Sequence, residues 1–242
     1  MDLKKVIVIG GSACSAAGLA KKDSSWPELL RNKYPKIDLR VISVGGLTLV
    51  QSIKILDDID PCDILILNYG TSVGWPRIVT KFQDRFGIKF SSEFGFQQPL
   101  KELDKPVLYR LKKYIKLKVK NLIKYIFAFL RMYRPKTNIL EIPDQIDAVC
   151  NLALKKAGQI IWIQHRGLTK VRTKIERYFY EKFYKLVMRS LKNHCSKSFA
   201  VAEIPRDFDS PKYYLSDLVH LTEEGHHKIL NIIEPHLKNF DS

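Results

Sequence analysis

The chain has 242 residues, 45% hydrophobic and 27% charged, with 41 Lys and Arg against 25 Asp and Glu, a net charge of +16. That composition fits a globular protein with one domain, or one domain carrying a large insertion, and its basic excess points to an anionic partner: nucleic acid, a membrane surface or an acidic ligand. Cys14, Cys62, Cys150 and Cys195 stand far apart with no CxxC pair, which argues against a disulfide framework and a zinc site and predicts buried, reduced thiols in a cytosolic protein.

In chain order, a first strand, KVIVIG (5–10), leaves no room for a signal peptide's apolar region before it. A second follows at DLRVISV (38–44), a third at CDILILNYG (62–70), a fourth at QIIWIQH (159–165) and a fifth at SFAVAE (198–203). Continuous apolar runs of this length suit central strands of a parallel sheet covered on both faces. Helical patterns fall between and after them, at about 24–34, 47–57, 143–157, 170–193 and 222–239. Alternation of this kind predicts a three-layer α/β/α sandwich with a five-stranded, mostly parallel, flavodoxin-like sheet. In such open sheets ligands bind beyond the carboxyl ends of the strands.

Residues 77–140 are too long for an ordinary crossover and read as a basic, largely helical insertion in a single domain spanning 1–242. No acidic residue occurs from Lys105 to Leu140, and Leu108, Leu111, Ile115, Val119, Leu122, Ile126, Leu130 and Tyr133 recur at helical steps. The stripe suits a helix over 105–134 that packs on the body, docks on an anionic membrane surface, or covers the site. No uncharged run reaches transmembrane length, so the expected location is cytoplasmic, with attachment to the inner face of a membrane left open. Nucleic acid is disfavoured, because no recognition module is present.

Four segments carry the chemistry. GGS (10–12) ends strand one, GGLT (45–48) follows strand two, LNYGTS (67–72) spans the end of strand three, and SDLVHLTEEGHHKI (216–229) lies near the C-terminus. The first turn could cradle a phosphate, present a nucleophile, or let a helix pack closely on the sheet. It lacks the GK[ST] of a P-loop, and no acidic residue closes strand two as a dinucleotide fold would require. Asp217 and His220 are three positions apart, and a carboxylate beside an imidazole fixes its tautomer and stabilises the imidazolium. A serine within reach of such an imidazole becomes an acyl-transfer nucleophile. Thr222, followed by Glu223 and Glu224, reads as the start of the last helix, leaving Asp217 and His220 in the loop before it. Cys14 and Ser15 are rival nucleophiles, placed where side chains would pack or cap. His226 and His227 read as solvated helix residues, and no metal cluster is evident.

In order and type, these four blocks resemble the SGNH, or GDSL-type, hydrolases. The resemblance covers the chain outside 77–140. It implies that Ser12 is the nucleophile, that Asp217 and His220 complete the triad, and that the oxyanion is held by the amides of Ser12 and Gly46 with Ser72. Two positions depart from the pattern. Gly11 replaces the Asp of Gly-Asp-Ser, and Ser72 stands where the family has an asparagine donor. Some glycan-modifying relatives are similar in lacking that asparagine and in having a Pro-Arg shortly after, as Pro76-Arg77 does here. The implied activity is removal of an acyl group, expected to be acetyl, from a carbohydrate or small ester without a cofactor. The alternatives are an O-acyltransferase for a bacterial surface glycan, using an acyl donor such as acetyl-CoA, and a non-catalytic binding module. Arg77, His165 and Arg166 are candidate substrate contacts. The oligomeric state is not legible.

Overall fold

A computed structural model describes residues 3–69, 76–78, 122, 125–126, 133–135, 138–165, 174–205, 208, 212–215 and 220–237. The elements in chain order are β1 (Lys4–Gly10), α1 (Trp26–Lys33), β2 (Ile37–Ser43), α2 (Leu49–Asp58), β3 (Cys62–Tyr69), β4 (Pro76–Ile78) and β5 (Tyr133–Pro135). They continue with α3 (Ile142–Lys156), β6 (Ala157–Gln164), α4 (Lys174–Lys192), β7 (Phe199–Glu203) and α5 (Glu223–Ile233). Five strands form one sheet in the order β2-β1-β3-β6-β7, and every neighbouring pair is parallel.

Side chains alternate across a strand, so the apolar runs divide between two faces. Val6, Val8, Ile64, Ile66, Ile161 and Ile163 meet Trp26 and Leu30 of α1 and Ile229, Leu230 and Ile233 of α5. On the other face, Ile7, Ile9, Leu65, Leu67, Ile160 and Trp162 meet Leu56 of α2, Ile146, Val149 and Ala153 of α3, and Phe183, Val187 and Leu191 of α4. This is the expected three-layer arrangement. Val6 through Ile9 are 0% exposed, and burying each such side chain stabilises the fold by about 1.5–3 kcal/mol. Apolar burial therefore fixes β1, and with it everything hung from its carboxyl end. Helix starts are locally encoded. Thr48 and Gln51 form a capping box on α2, and Thr222 Oγ1 accepts from Gly225 N–H at the start of α5.

Three expectations change. The last helix stops at Ile233 and gives way to a 3-10 turn at Glu234–His236, because Pro235 has no amide hydrogen to continue it. Helix 105–134 cannot run to its end: Tyr133 and Arg134 lie in β5, antiparallel to β4, and Arg134 precedes Pro135, which favours extended backbone. The register sets Arg77 opposite Arg134. Cys14 and Cys150 are buried as expected, but Cys62 is half-buried and Cys195 exposed, and all four are free. Most of 77–140 lies outside the described residues. Within it, Leu122, Tyr125 and Ile126 are helical and exposed. No helix among the described residues is long and apolar enough to cross a membrane.

A Cβ on Gly10 would lie 2.2 Å from Cys14 Sγ and 2.8 Å from the Asn68 carbonyl oxygen. Gly10→Ala is expected to destabilise the protein by about 1–3 kcal/mol in urea unfolding. Adding Cys14→Ala should recover only part of that loss, because the Asn68 carbonyl is backbone. An unchanged unfolding midpoint for Gly10→Ala would contradict the packing described.

Candidate active site

Ser12 sits on a single 3-10 turn, Ser12–Cys14, immediately beyond the carboxyl end of β1. Both neighbouring strands tie this turn down. Gly11 N–H donates to the Asn68 carbonyl of β3 at 3.2 Å, and Ser43 Oγ of β2 donates to the Gly11 carbonyl at 3.0 Å. Val44 N–H donates to the Gly10 carbonyl at 2.9 Å. Ser15, a rival nucleophile by sequence, spends its hydroxyl on the Ser12 carbonyl at 2.9 Å. Cys14, the other rival, is 2% exposed, and burial pushes its thiol far above the ordinary range, so it is not a thiolate. Ser12 itself is partly exposed, and its hydroxyl has no hydrogen-bond partner among the described residues.

The turn after β2 runs alongside. Leu47 N–H donates to the Val44 carbonyl at 3.1 Å, and Gly46 takes φ 69°, the left-handed conformation that glycine adopts without strain. Among the described residues, no group accepts from the N–H of Ser12 or of Gly46.

His220 arrives from the far end of the chain on a short antiparallel pairing. Leu215 N–H donates to the His220 carbonyl at 2.8 Å, Tyr214 pairs with Leu221, and Thr222 N–H donates to the Tyr213 carbonyl at 3.0 Å. A Cβ on Gly225 would lie 2.3 Å from the Tyr213 carbonyl oxygen, so glycine lets the first turn of α5 close on this pairing. Leu221 and Tyr214 share one buried cluster with Ala13 and Cys14. The segments carrying Ser12 and His220 therefore belong to the same core on the same face of the sheet. Among the described residues, no hydrogen bond joins Ser12 Oγ to His220.

His165 follows β6. It is 2% exposed, and its Nε2 lies 2.8 Å from Asn68 Oδ1, so it faces the interior rather than the pocket position expected of a substrate contact. Burial lowers its pKa from 6.5 to about 4, leaving a neutral ring whose Nε2–H donates to Asn68. The His165 carbonyl accepts from Gln164 Nε2 at 3.0 Å and from the Tyr180 hydroxyl. By geometric criteria, Asn68 Nδ2 is buried without a hydrogen-bond partner among the described residues. Asp217, Ser72 and Arg166 lie outside the described residues, and of Arg77 the structure gives the backbone position in β4.

His226 was expected in solvent and is 1% exposed, because its Nδ1 accepts the Trp26 backbone N–H at 3.1 Å. Sequence reasoning missed this residue, Trp26 and Asn68. The apolar spacing of Ile229, Leu230 and Ile233 was the available signal, since it turns position 226 inward.

No protein-family profile and no curated protein matches the chain. Solved structures do match over nearly its whole length. LAE5, an alpha/beta hydrolase enzyme from the metagenome of Lake Arreo, Spain, is 13% identical with a TM-score of 0.59, covering 99% of this chain and 97% of its own. The acetyl xylan esterase AlAXEase is 10% identical with a TM-score of 0.58, covering 96% and 99%. A member of the lipolytic protein G-D-S-L family from Veillonella parvula is 10% identical with a TM-score of 0.56, covering 97% and 98%. The fold is that of the GDSL, or SGNH, hydrolases and esterases.

The buried His165 makes stability depend on pH. An unfolded histidine takes up a proton below 6.5, while the native ring resists protonation down to about 4. Stability contributed by the neutral ring is whole above 6.5 and is lost as pH falls across that window, by about 3 kcal/mol. His165→Leu should be less stable than wild type at neutral pH yet lose less on acidification, as read by urea unfolding. Equal acid sensitivity in both proteins would contradict this.

Proposed function

We propose that this protein is a serine-dependent ester hydrolase of SGNH type. It would remove an acyl group, expected to be acetyl, from a carbohydrate or related ester through an acyl-serine intermediate. The observation that carries the proposal is the Ser12 turn: a partly exposed serine, rigidly held at the carboxyl end of a central strand, whose nearest rivals are engaged or buried. The GDSL-type fold supports it, and one similar structure is an acetyl xylan esterase.

In this mechanism His220 takes the proton from Ser12 Oγ as that oxygen attacks the ester carbonyl. The carbonyl oxygen becomes an oxyanion held by the N–H groups of Ser12 and Gly46, with the Ser72 hydroxyl as a third donor. Asp217 orients His220 and stabilises its charged form. The intermediate collapses, His220 returns the proton to the departing alcohol, and an acyl-Ser12 remains. Water then attacks the acyl carbon, giving its proton to His220. The second collapse releases the carboxylic acid and passes that proton back to Ser12. Losing one oxyanion donor costs about 10²–10³ in rate elsewhere, so a hydroxyl in place of an amide at Ser72 sets a slower enzyme than one with asparagine there. Arg77 and Arg166 are the candidate contacts for an anionic sugar. The backbone register of Arg77 against Arg134, two cationic residues directly opposite, supports an anionic group near β4.

A fluorophosphonate probe should label the wild-type chain on Ser12, located by peptide mass spectrometry. Ser12→Ala should abolish labelling and lower p-nitrophenyl acetate turnover by about 10³ or more. Absence of both labelling and turnover in the folded wild type would overturn the proposal in favour of a non-catalytic module.

A further inference from the structure

Helix α1 begins with an unusual debt. Its first residue, Trp26, has a backbone N–H that the helix cannot satisfy, and the N-cap residue Ser25 makes no side-chain capping bond. The missing acceptor comes from 200 residues away: His226 Nδ1, on the first turns of α5, accepts that N–H at 3.1 Å. The same tryptophan reaches in the other direction. Its indole Nε1–H donates to the Ala13 carbonyl at 3.0 Å, inside the turn that carries Ser12. A parallel tie runs beside it, with Ser24 Oγ donating to Glu223 Oε1 at 2.9 Å.

Trp26 is 0% exposed and His226 is 1% exposed, so water cannot substitute for either bond at little cost. Nδ1 can accept only when it carries no hydrogen, and burial lowers the pKa of His226 from 6.5 to about 4, keeping the ring neutral. Trp26 thereby bonds to the segment after β1 through its indole Nε1–H and to the helix that follows His220 through its backbone N–H. The pairing of 213–215 with 220–222 then continues from α5 to the His220 backbone without a break.

We propose that Trp26 and His226 are positioning residues: a brace that holds the Ser12 turn and the His220 segment at a fixed separation, so that the two are in register before substrate binds. This rests on the Ser12–His220 reading above. A brace acts on geometry at the reacting atoms, where small misplacement costs rate far more than binding.

Three variants test it. Trp26→Phe keeps a ring and the backbone N–H but loses the bond to Ala13. His226→Leu removes the acceptor. His226→Asn supplies a side-chain oxygen near the position of Nδ1. Folding is checked by thermal melting, kcat and KM are measured on p-nitrophenyl acetate, and amide hydrogen exchange is followed in peptides containing residues 11–15. Trp26→Phe and His226→Leu should lower kcat about tenfold or more with KM within about twofold, and His226→Asn should restore most of it. Exchange at 11–15 should speed up in His226→Leu, although the substitution lies far along the chain. Should His226→Leu fail to fold, Trp26→Phe carries the test. An active wild type with unchanged kcat and exchange in the variants overturns the brace and leaves the Ser12 chemistry standing. An inactive wild type whose exchange at 11–15 responds to His226 overturns the chemistry and keeps the brace.

Discussion

How closely Gly10 lets β1 end against β3 governs the whole carboxyl edge of the sheet. Cys14 Sγ occupies the space a side chain at Gly10 would need, and the Asn68 carbonyl comes nearly as close. That approach allows Gly11 to donate to β3 while β2 holds the same turn through Ser43 and Val44. A hydroxyl placed on so short a turn has little freedom. The turn that carries it is held by those bonds and by a strand buried on both faces.

Around this fixed point the chain uses two kinds of buried polar group. Asn68, His165, Gln164 and Tyr180 form a network under the strand ends, where the neutral His165 and its carbonyl link β3, β6 and α4. Trp26 and His226 link α1 to α5. Partly satisfied networks in a low-dielectric interior are costly, so such groups specify one arrangement more than they add stability. Both histidines are held neutral by burial, whereas His220 is partly exposed.

The fold was legible because its signals are local. Five β-branched runs and the helical patterns between them sit within a few residues of the observed elements, and Thr48 and Thr222 mark helix starts by chemistry that spans three residues. The Ser12 turn was legible for the same reason. What the sequence hid is long-range. Nothing near position 226 announces that it caps a helix at position 26, and nothing near His165 announces Asn68. A dipeptide histidine in a helix reads as solvated until the opposing helix is placed. The last helix was expected to run through Pro235 and the basic helix up to Arg134, and the missing amide hydrogen of one proline and the extended residue before the other end them sooner. Cys195 escaped its expected burial because it follows the end of α4 rather than lying within it.

The account stands on one partnership, Ser12 activated by His220. The second-order rate at which a fluorophosphonate modifies Ser12 measures it directly, in wild type and in His220→Ala at the same pH. The account predicts a rate lower by about a hundredfold or more in His220→Ala, with thermal stability near that of wild type. Equal rates in the two proteins would show that the imidazole does not serve this serine.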